Sequence, residues 1–218
     1  MARRQQTNRE RNRTTRPYER RAGTRESLPS VLIVCEGKKT EPKYFNAMKK
    51  AWGLKSVSVV GGRGGDCLTI AGVAVEHASD YDQCWCVFDT EMPDNRHKVQ
   101  KAIGKAQGSD VGLAISNPAF EFWLLLHFKC TTGEFDSAAR VIQELREYLP
   151  GYEKATDVFE HLAPNIDTAI ERAEQVLSSH TSAGNGDFAN PSTTVHRLVQ
   201  ELLKLYERRV HSVHGDVM

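Results

Sequence analysis

Between residues 31 and 121, short apolar runs alternate with stretches of helical periodicity, and three of the runs stop abruptly at acidic or amide side chains. Val31–Cys35 leads into Glu36-Gly37, Cys84–Phe88 into Asp89-Thr90-Glu91, and Val111–Ser116 into Asn117-Pro118-Ala119-Phe120-Glu121. Near-continuous apolar runs bounded by turn residues mark strands buried on both faces. With helices between them they predict an α/β fold whose parallel sheet has right-handed crossovers. A further strand is expected at Ser56–Val60, making about four. Helices are expected near Glu41–Trp52, Asp66–Ser79 and Asp94–Gln107, with Thr40 as an N-cap, Pro42 in a first turn and Asp66 as a second cap. Pro118 then opens an apolar helix over Phe120–Phe128, whose Phe-Trp-Leu-Leu-Leu run predicts burial on most sides.

Beyond Glu134 no further strand is expected. Helical patterns at Ser137–Leu149, Asn165–His180 and Ser192–Val210 predict an α-helical C-terminal part, residues 131–218, packed on a core of residues 30–130. Residues 1–29 read as a disordered arm.

The arm changes the charge picture. The chain's net charge of +1 hides nine arginines against three glutamates in residues 1–26, so that segment carries +6 and the remaining 192 residues −5. Arg3, Arg4, Arg9, Arg11, Arg13, Arg16, Arg20, Arg21 and Arg25 sit among almost no apolar residues, a composition that leaves an arm unfolded and able to neutralise phosphates. A transit leader is the alternative, disfavoured by the three glutamates and the missing amphipathic stripe. No run approaches the ~20 apolar residues of a membrane span and no secretory signal is visible, so a cytoplasmic protein is expected. Apolar residues make up 39% of the 218, enough for a sizeable core.

The five cysteines are odd in number, and Cys35, Cys84 and Cys86 lie inside strand-like runs, which suits buried reduced thiols. Cys84-x-Cys86 puts two thiols on one face of a strand rather than in a zinc spacing. His97, His127 and His161 likewise form no metal spacing.

If the three acid-terminated runs are parallel strands, four carboxylates meet at the sheet edge where α/β folds place their sites. Such a cluster is costly to keep ionised unless a cation neutralises it. Asp89 and Glu91 lie on the same side of an extended segment. Two or three convergent carboxylates suffice for Mg²⁺ or Mn²⁺, with Glu36 as a further ligand or a general acid/base. Glu121, at the start of a buried helix, needs a partner: the helix N-terminus, a cation or a metal. Gly61-Gly62-Arg63-Gly64-Gly65 lacks the Walker pattern. It is either a plain turn or a loop in which Arg63 and backbone amides meet phosphate. Lys154 is a candidate stabiliser of leaving-group charge, although such a lysine is commonly just solvated.

Ile33-Val34-Cys35-Glu36-Gly37-x-x-Thr40-Glu41-Pro42-x-Tyr44-Phe45, Phe88-Asp89-Thr90-Glu91, Ser116-Asn117-Pro118-x-Phe120-Glu121-Phe122-Trp123, Gly151-Tyr152-x-Lys154 and Asn190-Pro191-Ser192-Thr193-x-Val195-His196 together resemble the RloB family over about residues 30–200. RloB-like proteins look like members of the Toprim superfamily, with the metal-dependent domains of topoisomerases, primases and overcoming-lysogenization-defect nucleases. That resemblance implies a Toprim-like Rossmannoid catalytic core, a glutamate after the first strand, matched by Glu36, and an acidic D-x-D, matched by Asp89 and Glu91. Glu91 departs from the pattern by keeping the charge on a longer arm. Similarity to the nucleases further implies that Ser116, Glu121 and Lys154 complete a two-metal site, with Glu41 as an outer ligand or simply a helix-start charge.

The expectation is therefore a Mg²⁺-dependent nuclease cutting DNA or RNA. The resemblance adds an anti-phage, abortive-infection role beside an RloA-type ATPase, which would supply the NTPase motif this chain lacks. The rivals are a non-catalytic nucleic-acid- or partner-binding module with a vestigial site, and a small-molecule phosphatase.

Overall fold

The computed structural model describes residues 27–62, 65–90, 96–154, 156–184 and 188–214. The arm arginines, Arg63 and Glu91 lie outside the described residues.

The four expected strands form as β1 (Val31–Cys35), β2 (Val57–Gly61), β3 (Gln83–Asp89) and β4 (Gly112–Asn117). They are parallel, in the order β2-β1-β3-β4. Helices α1 (Thr40–Trp52), α2 (Cys67–Glu76) and α3 (Arg96–Gln107) make the crossovers. The short α4 (Glu121–Leu126) follows β4, and α5 (Ala138–Leu145), α6 (Phe159–Leu162), α7 (Ile166–Ser182) and α8 (Val195–His214) complete the chain, with a 3₁₀ turn at Ala163–Asn165.

Two expectations are corrected. A fifth strand, β5 (Ser192–Thr193), pairs antiparallel with β4 at Asn117 and Ser116, and α8 starts at Val195 rather than Ser192. Two residues are too few to show alternation, so the polar Ser-Thr pair reads as a helix start. Thr40 is the first residue of α1 and does not cap it, because its hydroxyl is bonded to Glu121 and the Lys154 carbonyl. Asp66 does cap α2, its Oδ1 accepting the Thr69 N–H at 3.1 Å.

Alternate strand residues feed two apolar layers, as the two-residue period of a strand requires. Val31, Ile33 and Cys35 face α1, α4 and the C-terminal helices, whereas Leu32, Val34, Cys86 and Phe88 face α2 and α3. Every residue of α4 is buried, as its continuous apolar run demands. Cys35, Cys67, Cys84 and Cys86 are buried free thiols, and burial pushes Cys86 up to about 12. No described helix is long and apolar enough to cross a membrane.

Candidate functional site

In this strand order, β1 has β2 on one side and β3 on the other, so the chain reverses its direction of travel between β1 and β3. The carboxyl ends of two such strands diverge and leave a crevice, the usual ligand position in open α/β sheets. Glu36 follows β1 directly. Its N–H continues the ladder to the Val87 carbonyl at 2.9 Å, and its Oε2 accepts the Asp89 N–H at 3.3 Å, so the side chain reaches across the crevice.

A cavity of ≈ 340 Å³ opens there, walled by Glu36, Glu41, Asp89, Glu121, Phe120 and Lys154, with Lys38 and Lys39 at its edge. At roughly 30 Å³ per water it holds on the order of ten waters, room for a hydrated ion beside a phosphate group. Five of the residues singled out from the sequence therefore meet around one space, although 118 positions separate Glu36 from Lys154.

Glu41 enters from the first turn of α1 and is 7% exposed. Its carboxylate occupies the space a side chain at Gly37 would fill, which is why glycine follows Glu36. Burial raises its pKa, opposed by the Glu41 backbone; Glu121 raises it further, and Lys154 and the Gly37 backbone lower it. Asp89 is raised well above the usual carboxylate range, first by burial, then by the charges of Glu41 and Glu121 and least by Glu36, against a backbone hydrogen bond from Phe120. These carboxyls resist simultaneous ionisation, the electrostatic condition that a cation relieves.

Glu121 sits at the start of α4, 1% exposed. Its Oε1 accepts the Thr40 hydroxyl at 3.2 Å and the Tyr152 phenol at 3.3 Å. This buried acid is met by a pair of hydroxyls, a partner outside the helix N-terminus, cation or metal expected of it. Burial and the Glu121 charge push the Tyr152 phenol up, so it stays protonated and donates. Thr40 also reaches the Lys154 carbonyl at 3.0 Å, and the Tyr152 carbonyl accepts the Arg146 Nε–H at 2.9 Å. These bonds hold the 152–154 segment over the crevice and keep Lys154 at its rim.

Ser116 pairs with Asp89 across β3 and β4. Its carbonyl accepts the Thr90 N–H at 2.9 Å, and its hydroxyl lies 3.1 Å from Thr193 Oγ1 on β5, away from the cavity wall. His127 is buried, its Nδ1 lies 3.0 Å from the Trp123 carbonyl, and desolvation lowers its pKa to about 4. Thr40 and Tyr152 are the site residues that sequence reasoning did not assign. The only signal for Tyr152 was its place two residues before Lys154 in a quoted motif.

Among the described residues no group of three or more His, Cys, Asp or Glu side chains is arranged to hold a metal ion. The oxygen-only donor set nonetheless fits Mg²⁺, which is commonly bound through one or two carboxylates and otherwise keeps its waters. Glu36, whose Oε2 accepts the Asp89 N–H, and Asp89 are the carboxylates that would hold it.

The family model for RloB-like protein matches residues 31–202. No curated protein matches the chain, and no solved structure matches it.

Proposed function

The chain belongs to the RloB-like family, and from that membership and its acidic crevice we propose a divalent-metal-dependent nuclease of Toprim type, an anti-phage effector working beside an RloA-type ATPase. The observation that carries this reading is the meeting of Glu36, Glu41, Asp89, Glu121 and Lys154 around one cavity at the strand-order reversal. Mutually repelling carboxyls at that place are an expensive arrangement that a bound cation makes favourable.

Glu36 and Asp89 would hold Mg²⁺ or Mn²⁺, with Glu91 two residues further along the chain. A bound metal would supply charge stabilisation at the scissile phosphate and a more acidic water. Glu36 alternatively moves a proton as general acid or base. Lys154 offers positive charge to the departing oxygen. Thr40, Tyr152 and Glu121 fix where that lysine's backbone sits. The arginine arm adds affinity for the phosphate backbone without reading sequence.

A non-catalytic binding module is the second reading. It is favoured by the lack of a three-carboxylate cage among the described residues and by the commitment of Glu121 to two hydroxyls. Purified full-length chain incubated with plasmid DNA, single-stranded DNA and total tRNA in Mg²⁺ or Mn²⁺ decides between them. Metal-dependent cutting that disappears in Glu36→Gln and Asp89→Asn supports the nuclease. No cutting, together with no calorimetric metal site dependent on Asp89, supports the module.

A further inference from the structure

Helix α1 begins at the rim of the crevice and runs away from it, and its outward face is basic along its whole length. Lys39, Lys43, Asn46 and Lys50 are spaced i, i+4, i+7 and i+11, which puts them on one side of the helix, and all four are exposed. The only carboxylate on α1 is Glu41, which is buried and walls the crevice instead. At the far end, Asn46, Lys49, Lys50 and Lys55 line a second recess of ≈ 340 Å³. The near end is the pair Lys38 and Lys39 at the edge of the acidic cavity.

We infer that this face is a track for the phosphodiester backbone of one nucleic-acid strand, leading from the crevice to the Lys49–Lys55 recess. The inference rests on the nuclease reading for what happens at the crevice, but not for the binding itself. Eleven residues at 1.5 Å each separate Lys39 from Lys50 by ~16 Å. One strand of a duplex presents a phosphate every ~3.4 Å along its axis, so the stripe spans about five phosphates. Lysines without a planar donor fork suit this role, because they meet phosphate as point charges and leave sequence unread. Helix α3 is also basic, but it lines no part of the crevice, so it serves as the charge-matched control.

The test measures binding of the full chain in EDTA, where cleavage plays no part, to single-stranded and duplex oligonucleotides of DNA and of RNA at several salt concentrations. Lys49→Gln/Lys50→Gln on α1, at the recess, is compared with Lys101→Gln/Lys105→Gln on α3. The α1 pair is expected to lower the slope of log K against log[salt] by about 1.4–1.8, at ~0.7–0.9 per lost phosphate contact, while the α3 pair leaves it unchanged. The nucleic acid that shows this slope change names the strand type. Hydrolysis of bis(p-nitrophenyl) phosphate in Mn²⁺, lost in Asp89→Asn and intact in the α3 pair, reports separately on the crevice; its absence would sink the nuclease reading and leave the track standing. Equal slopes for the wild type and the α1 pair, or equal losses in the two pairs, would overturn the track. So would loss of binding to phosphatidylserine vesicles with oligonucleotide binding unchanged, which would assign the face to a lipid surface.

Discussion

Glu121 takes both of its resolved donors on a single oxygen, and that geometry makes a quantitative claim about Thr40 and Tyr152. Each hydroxyl has one hydrogen to give. The Tyr152 hydrogen goes to Glu121 at 3.3 Å, and the Thr40 hydrogen is shared between Glu121 at 3.2 Å and the Lys154 carbonyl at 3.0 Å. These distances are longer than the 2.7–2.8 Å at which O–H···O bonds cluster. Each single loss, Tyr152→Phe or Thr40→Val, should therefore cost only about 1 kcal/mol, inside the usual range for one hydrogen bond. The double variant is different in kind. It strips both donors from a carboxyl group that is 1% exposed, and a bare buried acceptor carries its own penalty of about 1–3 kcal/mol. The pair should be destabilised by roughly 3 kcal/mol or more, against about 2 from the sum of the singles. At 2–4 °C per kcal/mol for a chain of this size, that is a fall in Tm of about 6–12 °C. Urea unfolding at pH 7 of wild type, both singles and the double closes the cycle. Additivity within about 0.5 kcal/mol would refute the shared-acceptor account, because independent sites add to that tolerance.

Three further outcomes follow from the same geometry. The raised Asp89 pKa gives stability that is fully present below its unfolded value of ~3.9 and is lost as pH rises through the folded value. In EDTA, Asp89→Asn should therefore gain on wild type as pH rises from about 4 and should lose any Mg²⁺-dependent rise in Tm; parallel stability–pH curves would contradict this. His127, lowered to about 4 from a reference of 6.5, has the opposite sign, contributing stability above ~6.5 that is lost on acidification towards 4. At 1.36 kcal/mol per unit the contribution is about 3 kcal/mol, so the stability of His127→Gln relative to wild type should improve across that window, and a constant difference would show that the histidine does not titrate there. Gly37→Ala would place a methyl group in the volume held by the Glu41 carboxylate, so calorimetry should show weakened Mn²⁺ binding with only a small change in unfolding midpoint. Unaltered metal affinity would mean that the placement of Glu41 is irrelevant to the ion.

The strands that carry the site were legible because burial on both faces writes an unbroken apolar run, and because the acids follow those runs immediately. Glu36, Asp89 and Glu121 could be placed at one edge from that rule alone, before any contact was known. The remainder depended on contacts distant in sequence. A threonine ahead of a helix encodes a cap and a long-range donor identically, and Thr40 took the second role because Glu121, 81 positions away, is buried beside it. β5 escaped for a related reason: Ser192–Thr193 has no local pattern, and its position follows from pairing with Ser116 and Asn117. Lys154 was named as a candidate charge stabiliser and again through resemblance, yet what brings it to the crevice is the Tyr152 and Thr40 bonding that no spacing reveals.

The C-terminal helices bear on the site as directly as the sheet does. The layer containing Ile33 of β1 and Phe45 of α1 runs without a break into Trp123 of α4, Val141 of α5, Phe159 of α6, Val176 of α7 and Leu202 of α8. Tyr44 shows how closely they are joined, its ring meeting Phe45, Phe120 and Phe159 edge-on at 5.3–5.6 Å between centroids. The loop that brings Tyr152 and Lys154 to the crevice is anchored between α5 and α6, so its position is set by packing in this layer. The repulsion among Asp89, Glu41 and Glu121 is therefore borne by an apolar layer that joins the sheet and α1 to the C-terminal helices, and not by the loops that carry the acids. A fold arranged this way can keep an electrostatically unfavourable crevice intact before any cation arrives, which is what a preformed metal site requires.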